Sequence, residues 1–198
     1  MNEPGPLSTK QKIPIKHRLV AWVLVVVIAG VLAFLIRTYA IQTFFIPSQS
    51  MEPTLLVGDR ILVEKLPWSI DDIHRGDIIV FRKVAKDPDT DVDLVKRVIG
   101  LPGDTIWSVG DQIYVDGKPI TQPWLPNLNT PLLRTVGCPE SAYDIPRTHI
   151  AVGNYFVMGD CRKISYDSRY WGTVPSRNIV GKVFLVVWRG HHPWFQWF

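Results

Sequence analysis

The feature that most restricts this chain is one uninterrupted apolar run, Leu19 to Ile36, bounded by Arg18 and Arg37 and containing no charged residue, no proline and one glycine. As a helix rising about 1.5 Å per residue it would span roughly 27 Å, close to the hydrocarbon core of about 30 Å that a bilayer presents. Such a segment predicts a transmembrane anchor. The competing reading is a cleaved secretory signal, whose apolar region is usually about 7 to 15 residues long. The run here is longer, and Thr38-Tyr39-Ala40 makes a poor small-x-small cleavage site, so the retained anchor is favoured. Lys10, Lys12, Lys16 and Arg18 against Glu3 give the first 18 residues a net charge of +3, out of +4 for the whole chain. The positive-inside rule then keeps residues 1–18 in the cytoplasm, with 19–36 as the anchor and 37–198 on the translocated side. The basic charge is therefore a topology signal and gives no reason to invoke nucleic acid as a partner. Plasma and thylakoid membranes would look alike in this respect.

With 46% apolar and 20% charged residues in 198, the chain is not disordered and has room for one folded domain beyond the anchor. Strand-like runs recur between turn signals: Arg60 to Glu64, Asp77 to Arg82, Leu94 to Ile99, Thr105 to Val109, Gln112 to Val115, Tyr155 to Met158 and Ile179 to Trp188. Short, rich in β-branched residues and punctuated by Gly or Pro, they predict a mainly β, antiparallel fold. Asp116-Gly117 between two such runs is a hairpin signal. From about Gly117 to Pro146 the composition shifts to Pro, Asn, Thr and Leu without periodicity, which reads as an irregular inserted lobe.

A serine hydroxyl becomes a useful nucleophile only when a base takes its proton. Of the five histidines, His17, His74, His149, His191 and His192, none sits in a motif or beside an evident orienting carboxylate. A lysine can be the base if burial among apolar groups keeps its amine neutral. Lys96, between Leu94, Val95 and Val98, Ile99 in a strand-like run, has that setting, although a lysine in a strand ordinarily faces solvent. Ser48 and Ser50, after Pro47, compete for the nucleophile, and either could be a plain turn residue. The residues alone do not decide between these readings.

Four segments do more: Pro47-Ser48-Gln49-Ser50-Met51-Glu52-Pro53-Thr54-Leu55, Lys96-Arg97-Val98-Ile99-Gly100-Leu101-Pro102-Gly103-Asp104, Gly159-Asp160-Cys161-Arg162 and Ser165-Tyr166-Asp167-Ser168-Arg169-Tyr170-Trp171-Gly172. In that order and spacing they resemble the boxes of bacterial type I signal peptidases, over roughly Phe44 to Val187. The resemblance implies a membrane-bound serine endopeptidase that removes signal peptides from exported preproteins, in a signal-peptidase-like β fold. Ser50 would be the nucleophile and Lys96 the general base. Ser48, with the Ser50 backbone N–H, would form the oxyanion hole, two donors two residues apart on one side of an extended segment. Ser165 would hydrogen-bond the Lys96 amine and orient it, and Asp167 would pair with Arg169 to hold the loop. Cys161, Lys163 and Ile164 stand where Asn, Asp and Asn are usual.

Ile46, Met51, Leu55, Leu94 and Val95 flank the dyad and would line shallow clefts for substrate. These would admit the small side chains that the family prefers at the first and third positions before the cut. The strand around Lys96 and the segment before Ser50 could also take the substrate as an added strand. Signal peptides and membrane lipid are the implied partners, and no cofactor is implied. Asp87, Asp89, Asp91 and Asp93 alternate like a calcium loop but lack its Gly and Glu, so no metal is expected. Cys138 and Cys161 could form a bridge in an oxidising exterior, or Cys161 could be a buried thiol. The C-terminal Trp188, Trp194, Phe195, Trp197 and Phe198 suit a membrane interface or a strand end packed on the core. The rival readings of function are a specialised peptidase with one substrate and a non-catalytic anchored β domain that binds exported chains.

Overall fold

The computed structural model describes residues 15–35, 40–65, 72–82, 93–125, 138, 145–190 and 192–198, with side chains in the first of these segments from 20 to 34. Lys10, Lys12, Arg37, Asp87, Asp89, Asp91, His191 and most of the lobe expected over 117–146 lie outside the described residues. The chain divides into two compact units, Met1–Thr38 and Tyr39–Phe198.

In the first unit, helix α1 runs Ile15–Leu35, and its described side chains, Val20 to Phe34, are exposed. Among the described residues no helix is long and apolar enough to cross a membrane. The spanning helix expected over Leu19 to Ile36 is to that extent not supported.

The second unit is mainly β, as its short β-branched runs predict. β1 (Ile41–Phe45), β2 (Arg60–Glu64), β3 (Ile78–Arg82), β4 (Asp93–Gly100), β5 (Thr105–Val109), β6 (Gln112–Val115), β7 (Lys118–Pro119) and β8 (Thr148–His149) lead to β9 (Asn154–Met158). A one-turn helix, α2 (Ser168–Trp171), precedes β10 (Val174–Pro175), β11 (Ile179–Arg189) and β12 (His192–Trp197). Among the described residues these form an 8-stranded sheet ordered β1-β2-β11-β3-β4-β9-β10, with β12 also on β11, and a 4-stranded sheet β7-β6-β5-β8. Every pairing is antiparallel.

The hairpin predicted at Asp116-Gly117 joins β6 to β7. Both residues have positive φ, 49° and 82°, the left-handed backbone that such a turn demands and that Asp and Gly tolerate. Alternation sends Ile61 and Val63 of β2 into a core with Ile78, Val80, Val183 and Val186. Ile46, Met51 and Leu55, on either side of the Ser50 turn, join the same cluster. The turn is thus pinned to the sheet by apolar side chains.

Candidate active site

β4 carries Lys96 and β3 fixes it in register, with Ile79 opposite. Lys96 is only 4% exposed. Burial strips water from its ammonium and lowers the pKa from 10.5 to about 8, against the opposing pull of Asp167 and then Asp160. About a tenth of the amines are therefore neutral at pH 7. The amine donates to Ser50 Oγ at 2.7 Å and to the Val95 carbonyl at 3.1 Å.

Ser50 lies in a single 3₁₀ turn, Gln49–Met51, whose N-cap Ser48 is extended. The segment is therefore not extended throughout, as the two-residue spacing suggested. The turn nevertheless brings Ser48 Oγ to 3.3 Å from Ser50 Oγ. Met51, 1% exposed, plugs the core beneath. Glu52 is also buried; burial raises its carboxyl pKa and a hydrogen bond from the Val57 N–H opposes this.

Behind Ser50 lies the loop that follows β9. Cys161 N–H donates to the Ser50 carbonyl at 3.1 Å. Gly159 has no room for a side chain: a Cβ there would collide with the Ser50 carbonyl and with Ser165 Oγ. Ser165 Oγ accepts from Gly159 N–H at 3.1 Å, as does Asp167 Oδ2 at 3.0 Å. Among the described hydrogen bonds, the Lys96 amine goes to Ser50 and Val95, and Ser165 meets it only through this loop. Asp167 pairs with Arg169, Nε to Oδ1 at 2.8 Å and Nη2 to Oδ2 at 2.9 Å, and Arg169 also donates to the carbonyls of Arg162 and Ser165. Lys163 and Ile164 are exposed. Cys161 is bonded to Cys138, with Cα atoms 5.1 Å apart.

One network went unread in the sequence. Arg97, beside Lys96, forms a buried two-point ion pair with Asp160 at 2.8 and 2.6 Å. Thr54 Oγ1 donates to the same carboxylate at 2.5 Å, and Arg97 donates to the Gly76 carbonyl at 2.6 Å. The signal available was that Thr54, Arg97 and Asp160 each lie inside one of the quoted segments.

The dyad opens on a cleft of about 290 Å³ lined by Phe44, Phe45, Ile46, Pro47, Ser48, Ser50, Met51, Asp93, Leu94, Val95 and Lys96. Four of the five expected substrate-contacting residues are there. Leu55 instead lies 0% exposed in the core with Ile61 and Val63. Residues 93–96 pair with β3 on one side, while pairing with β9 begins only at Arg97. β1 likewise pairs only with β2 among the described residues. Among the described residues the cleft thus runs between two strand edges that no further strand covers. Among the described residues, His74, His149 and His192 have other partners, Asp72, Thr105 and the Arg189 carbonyl. No group of three or more His, Cys, Asp or Glu among the described residues could hold a metal.

A hydroxyl in hydrogen-bond contact with a desolvated amine, beside a groove, puts a group able to take a proton within reach of a group able to give one. The family model for signal peptidase, peptidase S26, matches residues 19–188, and the chain belongs to that family of peptidases. It is 35% identical to "Signal peptidase I" of Leptolyngbya laminosa over 80% of this chain and 74% of that one. It is 39% identical to "Signal peptidase I V" of Bacillus subtilis (strain 168) over 82% of this chain and 95% of that one. A crystal structure of a signal peptidase I from Enterococcus faecalis V583 shares 28% identity, covering 56% of this chain and 96% of that one with a TM-score of 0.42.

Proposed function

We propose that this chain is a membrane-held serine endopeptidase that cleaves N-terminal signal peptides from exported preproteins, using Ser50 as nucleophile and Lys96 as general base. The observation that carries the reading is the buried Lys96 amine, with its pKa lowered to about 8, at 2.7 Å from Ser50 Oγ on the wall of an open groove. Relatives bearing the name signal peptidase I over most of the chain support the substrate class.

The neutral amine accepts the Ser50 proton as Oγ attacks the carbonyl carbon before the cut. The Ser48 hydroxyl and Ser50 N–H donate to the developing oxyanion, a contribution of about 3 kcal/mol per donor in other systems. When the intermediate collapses, the Lys96 ammonium returns the proton to the departing amine. Water then enters, Lys96 takes its proton as the water oxygen attacks the ester carbon, and the ammonium returns that proton to Ser50 Oγ as the acyl bond breaks. Asp167 and Arg169 hold the loop, and Ser165 fixes Gly159 behind Ser50, so that it bears on the nucleophile and not on the lysine. Substrate lies as a strand against residues 93–96, with its side chains toward Ile46, Met51, Leu94 and Val95. Such shallow walls favour small residues at the first and third positions before the cut.

Membrane attachment belongs to the same proposal, through the segment 19–36 with the N-terminus cytoplasmic. Its support is the apolar run and the exposure of Val20 to Phe34. A second support is the aromatic face of the sheet. Cross-strand pairs put Phe45, Arg60, Trp188 and Pro193 on one face, and Phe195 and Trp197 follow at two-residue spacing. Phe45, Phe195 and Trp197 are exposed there, a composition that suits the water–lipid boundary. Replacing Phe195 and Trp197 by serine is expected to reduce co-sedimentation with lipid vesicles; unchanged sedimentation would remove this face from the reading.

The test is incubation of the purified full chain with a generic secretory preprotein, followed by N-terminal sequencing of the product, in parallel with Ser50→Ala. A single cut after a small-x-small site, lost in the variant, is the expected result. Binding without cleavage would favour the non-catalytic domain, and cleavage of one preprotein among many the specialised peptidase.

A further inference from the structure

The nucleophile sits outside both sheets, so something other than a strand ladder must hold its backbone. Within Ser48–Met51, two carbonyls are bonded locally: Glu52 N–H donates to Gln49 and Leu55 N–H to Met51. The remaining backbone bond of this segment among the described residues, and the one that ties it to a distant part of the chain, is Cys161 N–H to the Ser50 carbonyl. Cys161 is bonded through sulfur to Cys138, whose Sγ lies 3.9 Å from the Glu52 carbonyl. Both cysteines are buried, 4% and 0% exposed. The disulfide therefore spans the back of the turn, meeting it at Ser50 and again at Glu52. We infer that the Cys138–Cys161 bond is a positioning element for catalysis that holds Ser50 Oγ in line with the Lys96 amine, so that full turnover requires the oxidised protein.

Lys96 does not share this dependence. It is placed by the β3–β4 ladder, and one wall of the groove, Asp93 to Lys96, belongs to the same strand. Breaking the disulfide should let the Ser50 turn drift while leaving the base and the β4 wall of the groove where they are. The expected signature is a fall in kcat of about 10- to 100-fold, the cost of a misplacement near 1 Å. KM should stay within about twofold, and the pH midpoint of kcat should not move, because the lysine keeps its burial.

The inference rests on the proposed Ser50/Lys96 chemistry, and the experiment separates the two. Full-length protein is assayed on a secretory preprotein before and after dithiothreitol. The dithiol passes two electrons and two protons to the sulfurs, leaving two thiols and closing to its own disulfide. The reduced thiols are then alkylated in one arm and reoxidised with oxidised glutathione in another. Far-UV circular dichroism and Tm are followed throughout, and Cys138→Ser/Cys161→Ser is run beside them. The inference expects kcat to fall on reduction at a temperature where the spectrum stays native, to return on reoxidation, and to be equally low in the double variant. Lowered Tm with kcat unchanged would overturn it, leaving the bond as a stabilising crosslink only. Should the double variant fail to fold, the reversible reduction of the wild-type chain decides alone. Absence of cleavage by the oxidised wild-type protein would overturn the Ser50/Lys96 reading and this inference with it.

Discussion

Lys96 and Ser50 end 2.7 Å apart, yet different parts of the molecule put them there. Lys96 is a strand residue, held in register opposite Ile79 and within reach of the Val95 carbonyl. Ser50 is a turn residue, held by the Met51 side chain sunk in the core and by groups pressed against its carbonyl from the loop after β9. A ladder distributes the burden over many backbone bonds, so one altered neighbour shifts its residues little. A turn braced at a few points moves when any one of them is lost. Lys96, as the proposed base, should therefore respond to changes in its solvation, and Ser50, as the proposed nucleophile, to changes in the packing behind it.

Removing either partner outright is the severest test. Ser50→Ala and Lys96→Ala should each reduce cleavage below detection, with far-UV spectra unchanged. The double variant should be little worse than either single one, because the residues act as a unit. Near-normal turnover by Lys96→Ala would break the pairing and send the search back to another base.

Next in size is Ser48→Ala. Its hydroxyl lies 3.3 Å from Ser50 Oγ and is exposed to the groove. Loss of an oxyanion donor should lower kcat by about 10² to 10³ with KM largely kept. An unchanged kcat would reduce Ser48 to the cap of the turn.

Gly159→Ala addresses the brace directly. The added methyl would overlap the Ser50 carbonyl and Ser165 Oγ at once, so one or both must move. A loss of about 10- to 100-fold in kcat is expected, with the pH midpoint unshifted since Lys96 is not displaced. A shifted midpoint would show that the turn and the strand are not independent.

The same contrast explains what could be read from sequence. β2, β5 and β6 have the expected bounds, because alternation and turn residues are local signals. The apolar company of Lys96 within a strand is also a local signal, but only the resemblance favours it as the base over a solvent-facing lysine. The turn gives no such signal: nothing local says that Ser48 and Ser50 are joined by a 3₁₀ turn and not by extended chain, nor that Gly159 must lack a side chain. The Thr54–Arg97–Asp160 network joins residues up to 106 positions apart, and Cys138–Cys161 needed a Cα separation that spacing does not provide. The C-terminal aromatics suit either an interface or a packed strand end; in the fold β12 is a strand paired with β11, and Trp194, Phe195 and Trp197 on it are exposed.

The mildest perturbation is of pH, and it separates the base from everything around it. With the folded Lys96 pKa near 8, activity should rise with pH through about 8, so that turnover at pH 7 is about tenfold below that at pH 9. Stability carries the same ionisation with a definite sign. The folded pKa is depressed below the 10.5 of the unfolded chain, so between about 8 and 10.5 the unfolded state binds the extra proton. Stability from this group therefore rises across that window, by on the order of 3 kcal/mol in all. Below about pH 8 both states are protonated and the folded protein bears the whole cost of a buried ammonium; above 10.5 neither does. Lys96→Met has no such charge, so it should be more stable than wild type at pH 7.5, with the gap closing as pH rises toward 10.5. Urea unfolding of the two proteins at several pH values measures that gap. A gap independent of pH would mean that Lys96 titrates alike folded and unfolded, and the base would then need some source of neutrality other than burial.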